Sequence, residues 1–531
     1  MVPGPNIRKM ATVHGSRPAT LKPRHLVNST ITYSAAKECE SNVLHELEYW
    51  DQETDYFSYL YQNRDSIRSI VAQHLGLNSA DKCHVADPEQ WMRGSFNICI
   101  PVDADGQGPN PGKKTIIRFP LPYRVGEVSC PGNADEKILC EAGTYVWLEA
   151  NCPDVAIPRL YGFGLATGQT FTSLDNLPIL LRSIETVRRR VLAWLGYAVP
   201  SRFVQIRNKV PAPLTTGYIL IEYIGRSRGK MLSESWEEGR HNAQLRMNLF
   251  RGLSRTLLSL TRIPLPRIGS FVLDDKGYLR LNNRPLTLQI HQLENEKIPI
   301  DIPREVTYIS VDSYINDILS LHESRLRHQP NAVSHLEDGF YQTSALMVMR
   351  SIWPCYFRRD FLRGPFFLNL TDIHQSNIFV DDEWNIKYFI DLEWACSRPV
   401  EMIHPPYWLT NQAIDSISVG DYETLHAEFM EALAEEESKC SSTSLSLLHP
   451  ILQQGWGKGT FWCSLALNSP TALFKIFYDY IQPRFSKTHN DDSTFWVITM
   501  PYWTFNAFDF IEQKVKDKKQ YDLSLREAFE S

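Results

Sequence analysis

Asp372-Ile-His-Gln-Ser-Asn377 and, fourteen positions after Asn377, Asp391-Leu-Glu393 are the residues of this chain best suited to chemistry. Between them lie two short apolar runs, Ile378-Phe379-Val380 and Ile386-Lys387-Tyr388-Phe389-Ile390, around the polar stretch Asp381–Asn385. Two β-branched and aromatic runs about an Asp/Asn-rich connection predict a β-hairpin. The open ends of an antiparallel pair lie roughly 5 Å apart. Asn377 entering the first strand and Asp391 leaving the second therefore face each other, with Asp372 on the loop just before. An amide oxygen and two carboxylates at one point suit Mg²⁺, which takes few protein ligands and completes its shell with water and phosphate oxygens. His374 could be a ligand in an Asp-x-His pair, but the reading adopted is a histidine that packs or bonds the backbone. No HxxxH or CxxC spacing supports a zinc site.

These residues need a frame. Phe96–Val102 and Thr115–Pro120 predict two strands separated by a Gly/Pro/Asn-rich loop over 103–112. Glu136–Ala150 predicts a helix capped by Asn133 or Asp135. Gly217–Ile224 predicts a third, strongly apolar strand, followed by Gly225 and Gly229 in a basic connection. The fold class expected is α+β: a small β-rich first lobe over 80–225 with one central helix, then a large, mainly helical lobe over 226–531. In the second lobe Val311, Tyr314, Ile315, Ile318 and Leu319 form a helical stripe. Leu273–Leu279 reads as a surface hairpin. The aromatic-rich segments from 420 to 530 read as core, and Glu431–Glu437 as a solvated helix face. Residues 41–79 predict a helical extension. Residues 1–40 read as a basic disordered tail, with a mitochondrial presequence as the alternative.

Composition narrows the partners. The 531 residues are 43% hydrophobic and 22% charged, with a net charge of −6. The acid-free stretch 1–37 holds six of the 55 basic residues, so the other 49 stand against all 61 acids. This argues against nucleic acid as a partner. No run of 18 apolar residues predicts a transmembrane helix, and no membrane partner or signal sequence is expected. The ten scattered cysteines read as reduced thiols in a cytoplasmic protein.

The segment 370–395, LTDIHQSNIFVDDEWNIKYFIDLEWA, resembles the aminoglycoside phosphotransferase family, especially its large fungal branch, whose fold is similar to that of protein kinases and choline kinases. Asp372, His374, Asn377 and Asp391 match the family pattern position by position, and the resemblance extends over about 80–410. It implies a bilobal protein-kinase-like fold. Asp372 would be the catalytic residue, and Asn377 and Asp391 the magnesium ligands. Gly94, Ser95 and Phe96 would form the phosphate-covering turn. Arg118 would be the phosphate-binding cation and Glu141 its partner. Glu222, Tyr223 and Ile224 would form the hinge beside the base of ATP or GTP. Glu393 is a weaker, supporting candidate. Leu370 and Thr371 replace the family's His and Gly, and Arg118 its more usual Lys; Arg keeps its charge and can bind phosphate bidentately.

The implied activity is transfer of a γ-phosphoryl group to a hydroxyl of a small molecule. Leu370 and Arg118 motivate an alternative, a kinase-like protein that binds nucleotide without catalysis. A metal-dependent hydrolase using Asp372 and His374 lacks further ligands. Arg398-Pro-Val-Glu401 stands where a protein kinase would carry Ala-Pro-Glu.

Overall fold

The two expected strands form and extend to Asn97–Ala104 and Lys113–Pro120, paired antiparallel with Cys99 opposite Arg118. The computed structural model of the protein describes residues 21–105, 112–206, 214–440, 448–488 and 494–530. Most of the expected loop at 103–112 thus lies outside the described residues, as does 1–20 of the predicted tail. The apolar strand Tyr218–Glu222 lies on the other side of Lys113–Pro120, with Ile219 opposite Arg118. The sheet continues through Leu160–Gly164, Thr170–Ser173 and Phe203–Ile206, all antiparallel. Arg118 therefore sits on a central strand, buried by its neighbours.

The central helix spans Asn133–Asn151. Its cap differs from the expected Asn133 or Asp135. Gly132 occupies the capping position in the left-handed region, and the Glu127 carboxylate accepts from the N–H groups of Gly132 and Ala134, each at 2.7 Å. A carboxylate there also complements the helix dipole. Asn133 instead donates to the carbonyl of Val125, and Asp135 accepts from the N–H of Ala166, both at 2.8 Å. The helix lies directly on the strand Ser270–Leu273: a Cβ at Gly143 would stand 2.3 Å from the Phe271 carbonyl oxygen. Only glycine allows that approach, and it fixes how Lys137 and Glu141, one turn apart, face the sheet.

Beyond the sheet the chain is mostly helical, and the architecture is α+β. The predicted stripe is the buried face of the helix Val311–His328. The predicted hairpin is Ser270–Leu273 with Leu279–Asn283, its turn held by Asp274. Aromatic residues after 420 do form core, with Tyr422, Phe461 and Trp462 buried together. The acidic run is only partly solvated. Glu435 and Glu436, with Glu428 before them on the helix Val419–Lys439, pair with Arg251, Arg255 and Arg246 of the helix Ala243–Leu260. Periodicity along one helix could not show the arginine row on its neighbour.

The tail reading fails for residues 21–40. Arg24–Leu26 and Ser29–Ile31 form a small hairpin, Tyr33–Glu38 a helix, and Ala36 is buried with Val43 against Tyr521, Leu525 and Phe529 of the final helix. These elements are too short to carry a visible period, and the apolar partners of Ala36 on the final helix lie almost 500 positions away. The helices Tyr49–Gln62 and Arg64–Leu75 pack on the sheet, forming a shared core with Ile98, Ile100 and Phe119. All ten cysteines are unpaired. No helix among the described residues is long and apolar enough to cross a membrane.

Candidate active site

The predicted hairpin is present as Ile378–Val380 paired with Ile386–Phe389. Its turn is built by Asp381, whose Oδ1 accepts from the N–H groups of Glu383 and Asn385. Lys230–Met231 adds a third strand, tying the chain that leaves the sheet directly to this hairpin. The strand Phe366–Leu370 delivers the loop carrying Asp372 and pairs with Ala395–Pro399 after Asp391. Two short ladders thus close around 371–377 and 390–394.

The convergence drawn from the sequence is present. The Asn377 carbonyl accepts from Ile390 N–H at 3.0 Å. Asn377 Nδ2 donates to the Asp372 carbonyl at 2.8 Å and reaches Asp372 Oδ2 at 3.4 Å. Asp372, Asn377 and Asp391 line one recess of about 10 Å³, room for roughly one water. Asp391 is in the left-handed region at φ 58°, a conformation that Asp tolerates at a small cost.

Leu370 and Thr371 stand before Asp372 without the His and Gly of the pattern the segment resembles, yet the loop is held. Leu370 is buried in the strand core, and Thr371 Oγ1 donates to the Trp394 carbonyl at 2.6 Å. Trp408 Nε1 donates to the Ile373 carbonyl at 2.6 Å. Trp408 in turn packs edge-on to Trp236, which stacks on Trp384 of the hairpin turn at 5.4 Å. His374 lies 6.0 Å from the Trp408 ring, a packing role rather than a ligand's.

Behind the loop is a buried cluster of charge. Arg118 Nη1 donates to Glu141 at 2.7 Å, and Nη2 meets Asp391 Oδ1 at 2.6 Å and Glu393 at 3.3 Å. Lys137 Nζ bonds Glu393 at 3.0 Å and Asn97 Oδ1 at 2.6 Å, and Asn97 Nδ2 returns to Glu393 at 2.9 Å. Three carboxylates thus stand against two cations, before Asp372 is added. Burial, with the negative charges of Glu393 and Asp391, pushes the Asp372 carboxyl up to about 7; the bond from Asn377 opposes this only in part. Burial also raises Glu141. It opposes ionisation of Glu393 too, but Lys137 and Arg118 outweigh it and hold that carboxyl below the usual range.

Arg118 and Glu141 therefore pair as expected, but Arg118 is gripped by three acids rather than left free for phosphate. Glu393, the supporting candidate, is a central member of the cluster. Lys137 and Asn97 escaped the sequence reading, although Lys137 one turn before Glu141 was a usable signal. In the turn Gly94-Ser95-Phe96, the Gly94 N–H is spent on the Asn97 carbonyl at 2.9 Å, and Arg124 holds the Ser95 carbonyl. The Gly94 N–H is thus not free to meet a phosphate. The Phe96 ring packs on Trp394 at 5.6 Å. At the strand end, Glu222 pairs with Arg228, which also donates to the Tyr223 carbonyl. Tyr223 N–H binds the Lys114 carbonyl at 3.3 Å, and Ile224 is buried. None of these three residues lines either cavity that Asp372 lines; they are joined to the hairpin through Arg228 over the Tyr388 ring.

On its other side, Asp372 lines a cavity of about 490 Å³. Its walls come from the helix Ala243–Leu260, the segment 288–296, residues 402–408, and Tyr49 of the N-terminal extension. Among the described residues no group of three or more His, Cys, Asp or Glu is arranged to hold a metal alone. Hard oxygen donors from Asp391 and Asn377, beside surplus carboxylate charge, fit a magnesium ion that brings most of its own ligands. No family model and no curated protein matches the chain.

Proposed function

We propose that this protein is a phosphotransferase with a bilobal, protein-kinase-like arrangement, moving the γ-phosphoryl group of ATP or GTP onto a hydroxyl of a small molecule. One observation carries the reading: Asp372, Asn377 and Asp391 meet at one recess, with the Arg118–Glu141 pair behind them and a ligand-sized cavity in front. The sheet order Asn97–Ala104, Lys113–Pro120, Tyr218–Glu222, Leu160–Gly164, with the helix Asn133–Asn151 packed beside it, supports the nucleotide-binding role of the first lobe.

Phosphoryl transfer passes through a loose transition state, so the protein's task is alignment and charge placement. Magnesium held by Asp391 and Asn377 would neutralise charge on the β- and γ-phosphates. Asn377 Nδ2, committed to Asp372, leaves its Oδ1 for that role. Asp372 takes the proton of the acceptor hydroxyl, and its raised pKa suits a base working near neutrality. Arg118 must loosen its hold on Asp391 when phosphate arrives, while Glu141 keeps the guanidinium in place.

The test is nucleotide binding with and without Mg²⁺ in the wild type and in Asp391→Ala. Wild-type affinity is expected to rise at least tenfold with Mg²⁺, and the variant to lose that gain. Equal Mg²⁺ dependence in both proteins would refute the role of Asp391. Tight nucleotide binding without phosphorylated product from any metabolite fraction would favour the idle binding protein over the enzyme.

A further inference from the structure

Four arginines are buried among the described residues, and they divide into two kinds. Arg118 meets three carboxylates, and Arg284 is held by Glu136 and Glu294. Arg325 and Arg398, each 6% exposed, form no ion pair among the described residues. Arg325 gives one hydrogen bond, to the Pro470 carbonyl at 3.2 Å, with Glu40 and Glu296 standing further off. Arg398 is more isolated. Its Nε is buried without a hydrogen-bond partner, and its polar neighbours are the Tyr314 hydroxyl and the Cys396 thiol. Burying a guanidinium without an anion is costly unless something completes it.

Both arginines line the 490 Å³ cavity that Asp372 also lines. Arg398 is fixed on the strand Ala395–Pro399, whose partner strand leads into the Asp372 loop. We propose that this cavity takes a small molecule bearing a carboxylate, bound by Arg398 and Arg325, the two buried arginines of its wall, while the partly exposed Arg124, also on the wall, holds the Ser95 carbonyl; where the function proposed above holds, a hydroxyl of the same molecule meets Asp372. Four acids share the wall, Glu40, Glu46, Glu296 and Asp372, and burial disfavours the charged form of three of them, Glu40, Glu296 and Asp372. Burial raises Glu40, and it raises Glu296 to about 7, so the negative charge of Glu296 is diminished near neutrality. Gln289, Gln292, Asn295 and Asn468 supply neutral hydrogen-bonding groups for the rest of the ligand.

Calorimetric titration of the full chain with 4-hydroxyphenylacetate, 4-hydroxyphenylacetamide and tyramine varies charge on one hydroxylated frame. The acid should bind at least tenfold more tightly than the amide, with the amine weakest. Arg398→Gln should erase the gap between acid and amide. If that variant does not fold, Arg398→Lys and the wild-type series itself still decide. An amide bound as well as the acid, a preference for tyramine, or no binding by any of the three would overturn the proposal. Parallel Mg-ATP titrations separate the two ideas. Acid preference without nucleotide binding defeats only the phosphotransferase, and nucleotide binding with amine preference defeats only the carboxylate pocket.

A second inference rests on a different surface. The helix Ile179–Trp194, inserted between two strands of the first sheet, has no buried residue. Leu180, Ile184, Val187, Val191 and Trp194 follow one helical stripe and are 47–84% exposed, with Tyr197 just beyond. The polar side faces the protein instead: Arg189 pairs with Glu185 and donates to the Ser201 carbonyl, and Arg182 reaches the Asp175 carbonyl. Four arginines (182, 188, 189, 190) accompany one acid. An apolar stripe flanked by arginines and ending in Trp and Tyr fits an anionic lipid surface. Arg188 and Arg190, both exposed, stand on either side of that stripe, while Arg182 and Arg189 are taken up by the protein. We infer that this helix lies in the headgroup layer of anionic membranes, without crossing them.

Co-sedimentation of the full chain with phosphatidylcholine vesicles, with and without phosphatidylserine, tests this. Binding should need the anionic lipid, weaken with salt, and fall at least tenfold in Ile184→Glu/Trp194→Glu at unchanged melting temperature. Lipid-independent behaviour of both proteins would overturn it, as would a dimer that the double variant dissociates.

Discussion

Asp372→Asn will leave Mg-nucleotide binding intact and slow phosphoryl transfer by about a hundred- to ten-thousandfold, the usual worth of a positioned base. The same change should stabilise the protein in alkaline solution. In the unfolded chain an aspartate titrates near 4; in the native site burial and two neighbouring carboxylates hold it at about 7. Between those values the folded state binds the extra proton. The contribution of Asp372 to stability is therefore full below about pH 4 and is lost as pH rises through 7. The amide carries no such penalty. Urea melts at pH 5 and pH 8 should show the variant gaining about 2 kcal/mol relative to wild type at the higher pH. The wild-type rate should rise with pH through the same region, since the base must be unprotonated. A variant with full activity, or with no relative gain in stability at pH 8, contradicts this account of Asp372.

Glu393→Ala should be the most damaging single change in the cluster. Glu393 neutralises Lys137 and shares Arg118, and all three are buried. Removing it leaves Lys137 with no acid in contact among the described residues, only the Asn97 amide oxygen and the Trp394 ring. Breaking one side of a buried pair costs about 3–5 kcal/mol, whereas replacing both partners by apolar groups can be nearly neutral. Lys137→Met/Glu393→Leu should therefore be more stable than Glu393→Ala, measured by denaturant unfolding. The native carboxyl of Glu393 lies below its unfolded value, so its contribution is present above about pH 4 and is lost as acid is added. A double variant no more stable than Glu393→Ala would show that these groups do not act as a pair.

Much of this site could be read along the chain because its parts are local. Asp372, Asn377 and Asp391 fall within twenty residues, and a hairpin with an Asp-built turn is enough to bring them together. Arg118 and Glu141 also lie close in sequence, on a strand and on the helix that follows. The cluster around them is not local. Asn97 and Glu393 are 296 positions apart, and only the closure of the sheet over the Asp372 loop unites them. The isolation of Arg398 was invisible for the same reason: a strand arginine announces its charge but not the absence of an acid. Residues 21–40 were misread because their elements are short and the helix Tyr33–Glu38 finds its core on the last helix. Ile179–Trp194 carries a clear period, but its sequence does not say that the apolar side faces outward.

The stacked indoles of Trp236 and Trp384, with Trp408 bonded to the backbone of the Asp372 loop, give the protein a built-in optical gauge. Ring planes 13° apart at 5.4 Å are close enough for their electronic transitions to couple, and a third chromophore is tethered at Ile373. Any rearrangement of that loop on ligand arrival must disturb the coupling, so circular dichroism and emission from the unlabelled chain can follow occupancy in real time.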